Sequence, residues 1–239
     1  FMTSVPFYGF NIVCIENELL REVAGRVHRR IITYGFTGQA EYSARNVVQD
    51  GGGCRYEVNN NGEDLGTIRL SMLGRHNILN SLATVVLGLK LGIPFETISA
   101  SLEAFMGVDR RFSKRGEVRD ILVVDDYGHH PTEIRATLSA ARQGYPDRRI
   151  WAIFQPHRYS RVSSLFQEFA GSFFGADEVI VTDIYAAGEA PIGGITSETL
   201  AEAIRGRSNK SARAGGSLQQ VEKLLLEQVQ PGDLILTLG

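Results

Sequence analysis

Asp125, Asp126, Tyr127, His129 and His130 crowd into one short run, followed at once by Pro131-Thr132-Glu133. Carboxylates can hold a ribose or a metal. Imidazoles can move protons or contact anions. The run follows the apolar stretch Ile121-Leu122-Val123-Val124, so a buried strand is expected to end here and a helix to begin. A helix start accounts for Pro131 and for the acidity of Glu133. It does not account for the histidine pair. Zinc is the weaker reading, because adjacent loop histidines rarely aim at one ion and no third ligand stands at a familiar spacing.

A second cluster is Gln155-Pro156-His157-Arg158-Tyr159-Ser160-Arg161, after the apolar run Ile150–Phe154. Arg158 and Arg161 are expected at a helix start, where their charge opposes the helix dipole. Stability does not explain them there. An anion does, since guanidinium forks grip carboxylate or phosphate in a bidentate way. The alternative is a solvated basic turn.

His76, Asn77 and Asn80 open a long helix. His76 and Asn80 stand one turn apart. Asn is poor inside helices, and its amide offers a donor and an acceptor that suit an adenine edge. Capping plus a tolerated polar residue explains them equally well. Arg110 and Arg111 fall at an expected domain junction, where a phosphate contact and an interdomain salt bridge both remain open. Tyr8, Cys14 and Trp151 read as packing residues.

The elements that must position these groups follow from periodicity. Strands are expected at 27–36 and 42–50, with a hairpin over 55–70 turning near Asn61-Gly62. The Gly51-Gly52-Gly53 run precedes a strand, so it reads as a turn and not as a phosphate loop. Ile78, Leu82, Val85, Val86 and Leu89 recur at helical spacing up to Gly92-Ile93-Pro94, and a second helix is expected to Phe105. From about Arg111 strands and helices alternate. Strands are expected at 121–125, 150–154, 178–183 and 234–238, and helices at 131–142, 162–174, 197–205 and 217–228. That alternation implies a mostly parallel, doubly wound α/β sheet. The post-strand peptides, including Asp183–Glu189, would then share one sheet edge.

The chain has 239 residues, 43% of them apolar and 22% charged, with a net charge of -2. Neither a nucleic acid nor a membrane surface is implied by that balance. Its two cysteines, Cys14 and Cys54, form no disulfide framework, so a reducing cytoplasm is the expected location. Both ends read as cut, which makes the chain an expected piece of a longer protein.

At the residues already quoted, the chain resembles the Mur ligases. The resemblance is carried by Gly74–Asn80, Arg110-Arg111-Phe112, Asp125–Glu133, Phe154–Arg161 and Ala187–Ile192. It is narrowest towards the branch that joins L-alanine to UDP-N-acetylmuramate. It implies that residues 1–109 are the latter part of a central ATPase domain. Residues 110–239 would be most of a C-terminal Rossmann-like domain. It also implies ATP and Mg2+ as cofactors, and an acyl phosphate attacked by the L-alanine amine. His76, Asn77 and Asn80 would face adenine, Arg111 the phosphates and Asp126 the ribose. Tyr127, His129, His157, Arg158 and Arg161 would surround the alanine, and no residue is assigned as a metal ligand. No Gly-x-x-Gly-Lys-Ser/Thr loop occurs in the chain, so it is expected to be inactive alone. Two rival readings are a metal-dependent hydrolase built on the Asp/His run and a non-catalytic nucleotide-binding module.

Overall fold

A computed structural model describes residues 2–239. The chain divides into two compact units, Phe1–Met106 and Gly107–Gly239.

The first unit holds a sheet in the order β1-β2-β3-β4-β5. Its elements are β1 (Asn11–Cys14), α1 (Glu18–Gly25), β2 (Ile31–Gly35), β3 (Tyr42–Asp50), β4 (Gly53–Asn60), β5 (Glu63–Leu70), α2 (Arg75–Lys90) and α3 (Phe95–Ala104). The first three strands are parallel, and β3, β4 and β5 form an antiparallel meander. Asn61 and Gly62 turn the last hairpin with φ of 50° and 98°, the left-handed pair that matches strand twist. At Gly53 a Cβ would stand 2.0 Å from the Leu70 carbonyl oxygen, so only glycine fits. Helix α2 buries Ile78, Leu82, Val85 and Val86 completely. Its apolar stripe, more than its weak capping, fixes it on the sheet.

The second unit is a Rossmann-like sheet in the order β10-β9-β8-β11-β7-β6. Its elements are β6 (Ser113–Val118), β7 (Ile121–Asp126), α4 (Pro131–Gly144), β8 (Arg149–Phe154), α5 (Tyr159–Ser164), α6 (Phe166–Ala170), β9 (Glu178–Thr182), α7 (Ser197–Arg207), β10 (Arg213–Gly216), α8 (Leu218–Gln228) and β11 (Asp233–Leu238). All neighbours are parallel except β6 with β7. One face packs Val124, Ala152, Phe154, Val181 and Leu236 against α4, α6 and α7. The other packs Trp151, Ile153, Ile180 and Ile235 against Val221 of α8. Strands buried on both faces read as continuous apolar runs, which is why β7, β8, β9 and β11 stand out in the sequence.

Several expectations need correcting. The helix expected over 162–174 is two short helices, α5 and α6, broken at Leu165. β1, α1, β6 and β10 were not anticipated. β6 is an exposed, charged edge strand, a form that discourages pairing with other chains. Tyr8 is 79% exposed and does not pack in a core. Trp151 packs, and its indole N–H also donates to Asp233 at 2.9 Å. Among the described residues no helix is long and apolar enough to cross a membrane.

Candidate anion site at the strand ends of the second unit

Parallel strands bring their carboxyl ends to one edge. β7 delivers Asp125 and Asp126 there, and β8 leads into His157 and Arg158.

Asp126 is 5% exposed. Its Oδ1 accepts from the Gly128 N–H at 2.8 Å and the Thr137 hydroxyl at 3.2 Å, and its Oδ2 accepts from the Phe112 N–H at 2.9 Å. Burial pushes its pKa up, and the three hydrogen bonds and Arg111 only partly offset that push. A carboxylate has about four acceptor positions, and three are occupied here. Asp125 behaves differently. Burial pushes it up, but Arg115, Thr237 and Arg110 outweigh burial and hold its pKa below the ordinary range.

The Tyr127 N–H donates to the Arg110 carbonyl at 2.7 Å. This bond helps set the Arg110 guanidinium 4.8 Å from the Tyr127 ring centroid, with Arg111 at 6.0 Å. Cations over a phenol face are attracted by its quadrupole. Arg110 also reaches Asp125 and the Gly239 carbonyl, while Arg111 pairs with Glu133 at 3.7 Å.

His129 packs edge-on to Tyr127, centroids 4.9 Å apart. Its Nδ1 lies 2.9 Å from the Tyr127 carbonyl oxygen. A carbonyl only accepts, so the geometry assigns the proton to Nδ1 and leaves Nε2 for a ligand. His130 does something else. Its Nδ1 accepts from the Thr132 N–H at 3.2 Å, and the Glu133 carboxylate accepts from the His130 N–H. This is a capping box for α4. Capping therefore accounts for one of the two histidines, contrary to the expectation from sequence.

On β8 the chain continues to His157, whose ring lies 4.6 Å from that of Tyr185. The His157 pKa is lowered, first by burial and then by Arg161, His129, Arg158 and Arg110. Arg158 takes a backbone φ of 70°, which few residues other than glycine adopt. Neither the Arg158 nor the Arg161 guanidinium has a hydrogen bond or ion pair among the described residues. Arg161 lies in the last turn of the six-residue α5, so its charge does not oppose the dipole there. The carboxylate beside them is that of Glu189, held below its ordinary range first by its bonds to Ser160 and, after these, by the charges of Arg158 and Arg161.

In the first unit, Asn77 Nδ2 donates to the Leu73 carbonyl at 2.8 Å, which ties its amide to the start of α2. Asn80 is exposed and His76 half-buried on the same helix. All the other predicted site residues lie in the second unit. Among the described residues no three of His, Cys, Asp and Glu are grouped so as to hold a metal ion.

Arg110, Tyr185 and Glu189 join this neighbourhood although the sequence did not single them out for it. Arg110 sat in a motif with two open readings. Tyr185 and Glu189 sat in a post-strand peptide whose contacts depend on the order of strands in the sheet.

Comparison with known proteins places both units in one family. Residues 110–239 match the family described as "Mur ligase, glutamate ligase domain", and residues 1–88 match "Mur ligase middle domain". A UDP-N-acetylmuramate–L-alanine ligase of Desulfosudis oleivorans is 46% identical over all of this chain, which covers 52% of that protein. The chain thus spans about half the length of the curated relatives it matches. The crystal structure of UDP-N-acetylmuramate-alanine ligase from Thermotoga maritima aligns with TM-score 0.74 and 28% identity, over 95% of this chain and 47% of that one. The MurF ligase of Thermotoga maritima, solved with ADP, shares the fold at TM-score 0.74 and 18% identity, over 100% of this chain and 51% of that one. The chain belongs to the Mur ligase family.

Proposed function

We propose that these residues form part of an ATP-dependent ligase that joins L-alanine to UDP-N-acetylmuramate. The reading takes residues 1–109 as part of its ATP-binding domain and 110–239 as most of its C-terminal domain. The observation that carries it is the unpaired guanidinium pair of Arg158 and Arg161 beside His157. Relatives at 44–48% identity that carry this ligase's name support it.

The amide-forming step needs an amino acid held by its carboxylate while its amine stays free. Arg158 and Arg161 supply two bidentate forks for that carboxylate. Holding it fixes the distance of the amine from the acyl carbon, and such positioning lowers the barrier to attack. His157, disfavoured as a cation by its surroundings, is suited to accept a hydrogen bond from the amine. Tyr127 and His129 complete the alanine end. The Nε2 of His129 is the ring atom left for that purpose.

For ATP, His76, Asn77 and Asn80 are the proposed adenine contacts within the first unit, and Arg111 and Asp126 the proposed phosphate and ribose contacts within the second. ATP supplies the phosphoryl group that activates the muramyl carboxylate, and magnesium is its expected companion.

The test is phosphate release by the full-length protein. Release that requires ATP, UDP-N-acetylmuramate and L-alanine together is expected. Release that ignores L-alanine would contradict the reading. Residues 1–239 alone are expected to release none above blank, because they carry no phosphate loop.

A further inference from the structure

Helix α5 begins at a residue that cannot cap it. Its N-cap is Arg158, with no side-chain cap bond, and a guanidinium has no acceptor to offer a free N–H. The acceptor comes from elsewhere. The Glu189 carboxylate takes the Ser160 N–H at 2.9 Å and the Ser160 hydroxyl at 2.7 Å. Ala187 and Gly188, with φ of 50° and 85°, turn the chain back so that the Glu189 N–H meets the Ala186 carbonyl at 3.0 Å. The same peptide holds the preceding residues. The Tyr185 carbonyl accepts the Arg158 N–H at 2.9 Å, and the Tyr185 N–H donates to Pro156 at 2.8 Å. A backbone conformation as strained as that of Arg158 persists only where its surroundings over-determine it.

We infer that Glu189 is a positioning residue for L-alanine: it caps α5 in place of residue 158 and so leaves the Arg158 guanidinium aimed at the substrate carboxylate. The inference rests on the alanine-site reading above. Glu189 itself touches no substrate. Its carboxylate does the work a Ser or Asp would do at the N-cap, and frees that position for a cation.

The test is steady-state kinetics on the full-length enzyme. Glu189→Ala is expected to raise the KM for L-alanine about tenfold, leaving the KM for ATP within about twofold. Glu189→Gln keeps an acceptor oxygen but loses the charge, and is expected to recover most of the loss. Ser160→Ala removes only the hydroxyl bond and is expected to give a smaller rise. If Gln and Ala are equally impaired, charge and not capping is at work, and the inference fails. If Glu189→Ala and Ser160→Ala both leave the alanine KM unchanged while Arg158→Ala raises it, the inference fails but the alanine site stands. If Arg158→Ala also changes nothing, the alanine-site reading itself fails and takes this inference with it. Should Glu189→Ala not fold, Ser160→Ala decides: an alanine KM at the wild-type value would overturn the inference.

Discussion

The imidazole of His157 lies over the phenol of Tyr185, ring centroids 4.6 Å apart, while the Tyr185 carbonyl takes the N–H of the next residue, Arg158. One residue of the β9 loop therefore positions two residues of the β8 loop.

His157 is expected to titrate below the ordinary histidine range, because burial and then Arg161, His129, Arg158 and Arg110 all disfavour the imidazolium. The unfolded chain binds this proton more readily than the fold. Its contribution to stability is thus complete above the ordinary histidine pKa and is lost as pH falls through the depressed one. NMR titration of the histidine ring protons checks this. Arg161→Gln should move the His157 midpoint upward, and an unmoved midpoint would separate Arg161 from the site.

Asp233 closes the other end of the same sheet. Its carboxylate accepts from Arg149 Nη2 at 2.7 Å, Arg149 Nε at 3.0 Å and Trp151 Nε1 at 2.9 Å. Asp233→Ala strands a buried indole N–H and a half-exposed guanidinium. The expected cost is about 3 kcal/mol, the low end for breaking a buried pair. Burial raises the Asp233 pKa, but Arg149, the Gln230 N–H and Trp151 outweigh it, so the net shift is downward. The stabilisation is present above the ordinary Asp range and is lost as pH falls through the lowered pKa. Urea unfolding of wild type and variant at neutral and acid pH should show the gap narrowing in acid.

The two thiols should differ. Burial pushes Cys54 up to about 11, and it is 4% exposed, so little reactive thiolate is present at neutral pH. Cys14 is only partly buried. A thiol reagent at pH 8 is expected to modify Cys54 only on unfolding. Rapid native labelling of Cys54, read by peptide mass, would contradict its placement in the core.

Much of the second unit was legible because strands buried on both faces leave unbroken apolar runs, as at Ile150–Phe154. The hairpin turn was legible because Asn61-Gly62 is needed for its left-handed pair. β6 was not, since an exposed edge strand such as Ser113–Val118 needs no apolar alternation. β10 was not, because Arg213–Gly216 carries little side chain with which to announce a strand. The break at Leu165 lies inside a stretch that keeps apolar residues in both helices, so periodicity ran across it. At the site, His157, Arg158 and Arg161 could be suspected from residue type alone. His130 was misread, because a histidine ring can act as a cap acceptor as well as a ligand. Glu189 was read only as part of the Asp183–Glu189 peptide on this edge, because its bond to Ser160 spans 29 residues and exists only once β9 lies beside β8.

The measurement that bears most directly on the central claim is the KM for L-alanine of full-length Arg158→Ala enzyme. A charge-assisted hydrogen bond to the alanine carboxylate is worth about 1.5–3 kcal/mol, so alanine use should fall by roughly tenfold to a hundredfold or more. The ATP dependence should remain near wild type. Alanine kinetics indistinguishable from wild type would remove Arg158 from the site and contradict the account.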